Sequence, residues 1–500
     1  MNLLSLFSTS NRTGRFMRML STSYLNVVAA AIYSIALVPI VLHFTSISQL
    51  GLWTLVTQFT AYLSLVDAGV CSACVRRFVG PIARKEMPTL AGIFKTAFLV
   101  SLSQGVLCCL FGLLAYPIGL LLGIGLENLT LFSSVLFVQF ILVGIFFLVR
   151  PFSALLLAAQ RFEINNLASS LSIVLSIGII WIGFRSGFGL WALPLGSLFQ
   201  QITSTLTTVW MVRKLDLLPH SWWRQSSTWK GVSDLFLEAL DFFSWSGFST
   251  AGATLQSVFL SRFLGLEAVA IWNVGAKLAS FAYMLFGNFF NTAFMGLSEL
   301  LEKGEPQNCL RSFLNLFLTT FSCLTVFAAC AVLLNDLFIL LWTHGQITFF
   351  PSCTWAIFSW LILAGTLRAL ACFSNIWQNR KTMRFGPAVE FSSLVLFLGL
   401  TLFSPSLKWF AFALMASQIP PILLSYGPSF LAVRKIFNTP LSKNQWGMVS
   451  FSLAFFVGAI GVRASHAPPL QQAVLLSSLG VAWIYFFLQE LSAFMLLRRH

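Results

Sequence analysis

The stretch from Phe140 to Val149 reads FILVGIFFLV, a continuous apolar run without a charged side chain. Runs of this kind recur along the 500-residue chain, which is 57% hydrophobic and only 9% charged. A soluble domain would carry roughly 25% charged residues, and a membrane β-barrel would alternate apolar and polar residues over about ten positions. The sequence therefore predicts an all-α polytopic membrane protein with about 14 transmembrane helices.

The chain has 30 Lys and Arg residues against 15 Asp and Glu, a formal net charge of +15. Most of these basic residues follow every second predicted helix or precede the first one, as Arg76, Arg77, Arg434 and Lys435 illustrate. This distribution is the one that the positive-inside rule describes, with both termini in the cytoplasm. Membrane orientation thus accounts for the positive charge, and we expect no nucleic-acid partner.

The sequence also resembles itself at an offset near 219 residues. The aligned pairs are Phe44 with Phe263, Trp53 with Trp272, Phe94 with Phe313, Phe98 with Phe317, and Arg161 with Arg380. Each copy would contain six helices, with a basic loop after its second, fourth and sixth. Two copies that enter the membrane from the same side are related by a pseudo-twofold axis along the membrane normal, and they face a central cavity.

Five regions follow from this repeat. They are a cytoplasmic amino terminus at 1–18, an N-lobe at 19–212, a cytoplasmic interfacial linker at 213–240, a C-lobe at 241–432, and helices thirteen and fourteen with the carboxyl terminus at 433–500. We expect the two lobes to rock against each other around a site near the membrane midplane, which is the alternating-access arrangement.

Two segments resemble a known family. The predicted second helix, within Gln49 to Phe78, begins with a Gly-aromatic pair and ends in Asp-x-Gly followed by basic residues. These positions are Gly51, Trp53, Asp67, Gly69, Arg76 and Arg77. The predicted eighth helix contains Ala276-Lys277-Leu278. Both patterns are similar to those of bacterial polysaccharide and O-antigen flippases, which belong to the multidrug, oligosaccharidyl-lipid and polysaccharide exporter superfamily.

This resemblance implies a transporter of the bacterial inner membrane rather than an enzyme. Its substrate would be an oligosaccharide or polysaccharide repeat unit linked to undecaprenyl diphosphate, moved by alternating access to the periplasmic leaflet. The expected partners are this lipid-linked oligosaccharide, membrane lipids and, further, a glycan polymerase or glycosyltransferases. A lipid II flippase and a cation-coupled multidrug exporter of the same superfamily remain alternatives.

The predicted eighth helix has a polar face that points to a cavity. Asn273, Lys277, Asn288 and Asn291 follow one another at helical spacing. A lysine near the middle of the membrane costs roughly 2.5 to 3.5 kcal/mol on insertion scales, so it faces a partner or a water-filled cavity. A diphosphate could be that partner, whereas the structural alternatives are helix–helix hydrogen bonding and snorkelling to the surface.

Three further residues complete the candidate site. Arg368 lies within predicted helix ten, where its guanidinium could bind phosphate in a bidentate manner. Arg18 precedes the first helix and could contact an entering diphosphate, although membrane orientation alone also explains it. Asp67 could couple transport to protons or sodium, or form a structural salt bridge. The sequence suggests neither a metal site nor a cofactor.

Overall fold

The computed structural model describes residues 12–67, 69–218, 221–225, 233, 256–377, 380–437 and 443–465. The predicted fourteenth helix, most of the linker and the first half of predicted helix seven lie outside these residues. The described residues contain helices and turns but no strand, which confirms the all-α prediction. The chain divides into two compact units, Met1–Ala270 and Ile271–His500.

The first unit contains ten α-helices among its described residues. They are α1 (Arg12–Phe44), α2 (Ile47–Tyr62), α3 (Val70–Arg84), α4 (Met87–Gly112), α5 (Ala115–Leu121), α6 (Leu126–Phe147), α7 (Arg150–Ala158), α8 (Phe162–Arg185), α9 (Ala192–Lys214) and α10 (Gln256–Gly275). Helix α10 begins in the first unit and ends in the second. Within the first unit, α8 packs on α1 and α9, and α4 packs on α6.

The second unit continues with eight α-helices in the described part of the chain. They are α11 (Lys277–Glu302), α12 (Pro306–Trp342), α13 (Pro351–Ile376), α14 (Arg380–Phe403), α15 (Leu407–Ser417), α16 (Ile419–Pro421), α17 (Gly427–Phe437) and α18 (Lys443–Ala464). A π-helical segment, Ile422–Tyr426, joins α16 to α17. Helices α11, α12 and α13 pack on one another, and α18 packs on α12.

Nine helices in the described residues are long and apolar enough to cross a membrane. Many large apolar side chains on their surfaces point away from the protein, including Leu341 at 67% and Val457 at 66% exposure. Such surfaces are stable in hydrocarbon and costly in water. The chain is therefore a multi-pass membrane protein, while the count of fourteen spans and the division into two six-helix lobes remain predictions.

The predicted second helix is interrupted. The sequence indicates a single span from 49 to 74, but α2 ends at Tyr62, a 3₁₀ segment covers Leu63–Asp67, and α3 starts at Val70. Gly69 has φ +80°, a left-handed conformation that glycine adopts without the steric cost of a Cβ. Gln104 holds the interruption from α4, since its Nε2 donates to the carbonyl oxygens of Val66 at 2.7 Å and Asp67 at 3.2 Å.

Helix α10 contains one irregular residue. Gly265 has φ +85°, a left-handed conformation that departs from the right-handed helix on either side of it. The sequence predicts a short connection between two helices at 265–267, where this residue lies. Beyond Gly265, backbone hydrogen bonding continues into α11, because the Ala276 N–H donates to Trp272 O and the Ser280 N–H donates to Ala276 O, both at 2.9 Å.

Each unit has an aromatic core, and the two cores contain repeat-related residues. Phe94 is fully buried in the first unit, in a cluster with Phe78 and Leu155. Phe313, its partner in the repeat, is fully buried in the second unit and packs on Phe373 with ring centroids 4.7 Å apart. The repeat inferred from the sequence thus aligns residues with the same packing role.

The start of the linker packs against the first unit. Trp222 contacts Phe94 and Phe98, with ring centroids 5.0 and 5.1 Å apart. Lys95 Nζ donates to the Gln225 carbonyl oxygen at 2.5 Å. Lys95, which the sequence places within a span, is therefore bonded to the linker backbone.

Candidate functional site

Arg368 lies inside the second unit, between three helices. It projects from α13 into a small pocket whose wall includes Tyr283 and Gly287 of α11 and Thr320 of α12. The free volume is about 10 Å³, roughly that of one water molecule. The pocket has no room for a group as large as a diphosphate unless the surrounding helices separate.

Two residues of α11 position the Arg368 side chain. Its Cζ lies 5.1 Å from the centroid of the Tyr283 ring, a cation–π contact. At Gly287, an added Cβ would overlap the guanidinium, so the glycine makes the room that Arg368 occupies. No carboxylate among the described residues pairs with Arg368, and its charge is balanced only by the ring.

Lys277 begins α11 and is half-buried. The described residues provide no hydrogen-bond or ion-pair partner for its ammonium group. Lys277 and Gly287 are ten positions apart, which corresponds to about 15 Å along the helix axis and about 80° around it. Lys277 and Arg368 therefore form two separate cationic positions at different heights beside α11, and the structure does not bring them into one clamp.

The remaining candidates are spread over three helices. Asn273 lies near the end of α10 and Asn288 lies within α11, and both are half-buried. Asn288 has an interaction partner in this structure. Asn291 belongs to α11 and Arg18 to the first turns of α1, but the side chains of both lie outside the described part of the structure.

Asp67 ends the 3₁₀ segment of the first unit and forms an ion pair. Its Oδ1 lies 2.8 Å from Nη1 of Arg150, and the two side chains are 20% and 21% exposed. Arg150 begins α7, and its Cζ lies 3.9 Å from the centroid of the Phe147 ring. Sequence reasoning assigned Arg150 to a cytoplasmic loop and did not pair it with Asp67.

The repeat relates this arginine to the one in the second unit. Arg368 follows Arg150 by 218 residues, one fewer than the repeat offset of 219. Each lies against an aromatic ring, Phe147 in the first unit and Tyr283 in the second. At the offset itself, the second-unit counterpart of Asp67 is Phe286, an apolar residue in the wall of the Arg368 pocket. This alignment was the signal that could have singled out Arg150.

Two other interior carboxylates also have partners. Asp336 of α12 accepts a hydrogen bond from Thr354 Oγ1 at 2.7 Å and pairs with Arg463 of α18. Glu390 of α14 accepts a hydrogen bond from the Tyr426 hydroxyl at 2.8 Å, at the end of the π-helical segment. The interior carboxylates Asp67, Asp336 and Glu390 are thus bonded, whereas Lys277 and Arg368 have no acidic partner in the described residues.

Several solved structures share this fold. The lipid II flippase MurJ, in an inward closed conformation, is 14% identical with a TM-score of 0.67, over 95% of this chain and 98% of that chain. An inward-facing multidrug resistance transporter of the MATE family is 14% identical with a TM-score of 0.56, over 85% and 100%. A transporter of the same superfamily from Pyrococcus furiosus is 15% identical with a TM-score of 0.51, over 85% and 96%. At these identities the likeness establishes the fold.

Comparison of the sequences gives the family. No functionally curated protein matches the chain. The profile of the family described as polysaccharide biosynthesis protein matches residues 16–300, which is more than half of the chain. The matched region includes the second-helix pattern with Asp67 and the Ala276-Lys277-Leu278 sequence. This chain is a member of the polysaccharide biosynthesis protein family, with the fold of the superfamily that contains MurJ and the MATE transporters.

Proposed function

We propose that the protein is a flippase that moves an undecaprenyl-diphosphate-linked oligosaccharide or polysaccharide repeat unit across the bacterial inner membrane. It does so by alternating access and carries out no chemical reaction on the substrate. Family membership and the transporter fold support a flippase. The polysaccharide family favours a lipid-linked glycan as the substrate.

The distribution of interior charge is the observation that carries this proposal. Arg368 and Lys277 lack acidic partners in the described residues, while Asp67 and Asp336 are held in ion pairs. A cation within a membrane protein that has no carboxylate beside it favours an anionic ligand, because burying it unpaired costs free energy. A diphosphate supplies that anion, and an arginine can bind it through two parallel hydrogen bonds.

The proposed path uses the two cations in sequence. With the predicted orientation, α13 ends on the cytoplasmic side, so Arg368 lies closer to that surface than Lys277. The head group would enter past Arg18, bind Arg368 as the helices around it separate, and pass to Lys277 about 15 Å further along α11. Asn273, Asn288 and Asn291 would donate amide hydrogen bonds to phosphate or sugar oxygens along this path.

The closed pocket around Arg368 fits alternating access. A diphosphate that had to enter a fixed pore would need an open route to the guanidinium, whereas rocking lobes expose it only in one state. The sugar would follow the head group across the membrane. A glycan polymerase or glycosyltransferases would act on the substrate before and after the transfer.

A leaflet-resolved measurement in cells tests the proposal. We expect depletion of the protein to trap the lipid-linked precursor in the cytoplasmic leaflet and to abolish the surface glycan, and wild type to restore both. Normal precursor distribution after depletion, in cells without a second flippase, would contradict the proposal. Loss of drug resistance on Asp67→Asn with an unchanged glycan would indicate instead a cation-coupled multidrug exporter. Trapping of lipid II alone would indicate a lipid II flippase.

A further inference from the structure

The first unit contains a cavity of its own, partly open to the outside. Its volume is about 330 Å³, within the range of roughly 300 to 1,000 Å³ that is common for small-molecule sites. Helices α1, α2, α6, α8 and α9 form its wall, and all of its lining residues belong to the first unit. A polar cavity of this size in a membrane bundle is expensive unless water or a ligand fills it.

The lining of the cavity is polar but uncharged. None of its lining residues is Asp, Glu, Lys, Arg or His. Three are glutamines: Gln139 donates through Nε2 to Ser197 Oγ at 3.1 Å, while Gln200 and Gln201 of α9 have no partner among the described residues. A free amide offers two donors and one acceptor oxygen. The cavity therefore presents unsatisfied amide groups without any fixed charge.

Hydroxyl groups extend this surface. Thr57 and Thr60 of α2 donate to the carbonyl oxygens of Thr54 at 2.8 Å and Val56 at 2.7 Å. Ser172 of α8 donates to Ser169 O at 2.8 Å. Because each hydroxyl proton is committed to the backbone, the oxygen lone pairs remain as acceptors. The same wall thus offers donors from amides and acceptors from hydroxyls.

Three aromatic residues complete the wall: Tyr33, Trp53 and Phe146. Trp53 is buried, at 4% exposure, and its indole N–H has no partner in the described part of the structure. Tyr33 of α1 is half-buried and contributes a ring and a hydroxyl without a described partner. A ring face with a polar tip suits a ligand that has apolar and hydrogen-bonding surfaces close together.

We infer that this cavity binds the sugar of the transported lipid, and that it selects neutral sugars. A pyranose has hydroxyls that both donate and accept, and C–H faces that pack on aromatic rings, so it matches free amides, acceptor oxygens and rings in one wall. A carboxylate on the same sugar would be buried without a cation, which is costly. The inference rests on the proposed function, which supplies the lipid carrier that bears this sugar, whereas the cavity itself belongs to the first unit.

Binding of three lipids, each of which differs from the next in one feature, tests the inference. The full-length protein in nanodiscs would be titrated with undecaprenyl diphosphate, and with the same carrier bearing glucose or glucuronic acid. We expect the glucosyl lipid to bind about tenfold more tightly than the glucuronosyl lipid, because the two sugars differ only in an unpaired carboxylate. We also expect it to bind more tightly than the carrier without sugar.

The decisive experiment is to reverse this preference by adding a positive charge to the cavity. Gln200→Arg supplies a cation to the cavity, so we expect it to bring glucuronosyl lipid binding to at least the level of the glucosyl lipid. Gln200→Met has a similar length and no charge, and should leave the order of preference unchanged. Retention of the neutral preference by Gln200→Arg would overturn the inference, since the selectivity would then arise elsewhere.

Binding of the lipid without sugar distinguishes failure of this inference from failure of the proposed function. Equal binding of all three lipids by wild type would show that the carrier is recognised while the cavity does not contact the sugar. That result would overturn the inference and leave the flippase proposal standing. Absence of binding by any of the three lipids would contradict both.

Discussion

Arg150 and Arg368 occupy nearly equivalent positions in the predicted repeat, but only Arg150 is paired with a carboxylate in the described residues. Arg150 lies 2.8 Å from the carboxylate of Asp67, whereas Arg368 has only the Tyr283 ring, 5.1 Å from its Cζ, to balance its charge. At the offset of 219 the second unit has Phe286 where the first has Asp67, so no carboxylate stands at the corresponding position. In the first unit the arginine is paired with a carboxylate, and in the second it remains available for an anion.

The comparison extends to the cavities. The first unit contains a neutral cavity of about 330 Å³ lined by amides, hydroxyls and rings, and its arginine is neutralised. The second unit has a small closed pocket that contains a cation. A lipid-linked glycan also has two parts, a neutral sugar and a charged diphosphate. We therefore regard the asymmetry of charge between the units as the feature that suits this substrate.

The largest expected effect concerns the neutralised arginine. Arg150→Leu leaves Asp67 unpaired, and for a pair that is about one fifth exposed this costs about 1 to 3 kcal/mol of folding free energy, between the values for surface and buried pairs. Thermal unfolding of the detergent-solubilised protein should show this as a clear fall in Tm. The double variant Arg150→Leu/Asp67→Asn should recover most of the loss, and failure to recover would show that Arg150 stabilises the fold through other contacts.

Arg368→Leu should affect transport strongly and stability little, the reverse of Arg150→Leu. We expect the Tm to change little, because no carboxylate among the described residues loses its partner. Transport should fall about 10- to 100-fold, the loss associated with charge-assisted hydrogen bonds of about 1.5 to 3 kcal/mol. Flipping of the precursor in reconstituted vesicles measures this directly. Arg368→Lys retains the charge without bidentate geometry and should fall between wild type and Arg368→Leu.

Phe286→Asp would make the second unit resemble the first. A carboxylate at this position should pair with Arg368 and compete with the diphosphate, so we expect transport to fall about tenfold. Phe286→Asn changes size and polarity in a similar way without the charge, and serves as the control. Equal loss of transport in both variants would mean that packing, and not neutralisation of Arg368, is responsible.

Lys277→Ala should reduce transport less than loss of Arg368. A lysine acts on phosphate as a point charge, and we expect a decrease of about fivefold with little effect at Lys277→Arg. Transport rates measured at several salt concentrations in the same vesicles provide the check. If Lys277→Ala transports at the wild-type rate, Lys277 has a packing role and the path needs only one cation.

The smallest effect is expected at Gly287. In Gly287→Ala the new Cβ overlaps the Arg368 guanidinium, which must shift along its flexible side chain. We expect transport to fall about threefold while the protein remains folded. Gly399→Ala is a matched control, because an added Cβ there meets no neighbouring atom. Equal rates for both variants and wild type would show that the position of Arg368 over α11 does not affect transport.

Much of the fold could be predicted from the sequence because membrane spans are continuous apolar runs whose loops carry charge. The described helices lie close to the predicted ones, as α13 at Pro351–Ile376 illustrates against 352–377. The interruption of the second helix was missed, since Gly69 and Asp67 also fit a continuous span. Its cause is a tertiary contact, the hydrogen bonds from Gln104 of α4.

The candidate site was less accessible to sequence reasoning. A membrane cation such as Arg368 is visible in a sequence because it interrupts an apolar run. Whether it has a carboxylate partner depends on residues far along the chain, as the pair Asp67 and Arg150 demonstrates. The neutral cavity has no such signal, since Gln200 and Gln201 are common residues that become informative only when five helices bring them together.

The central claim is that the arginine without an acidic partner in the second unit carries the anionic head group. The most direct test is a fluorescence-quenching assay of flipping in vesicles that contain undecaprenyl-diphosphate-linked glycan and either wild type, Arg368→Leu or Arg150→Leu/Asp67→Asn. The account predicts rapid flipping by wild type and by the double variant, and a loss of about 10- to 100-fold for Arg368→Leu. Wild-type flipping by Arg368→Leu would contradict the claim.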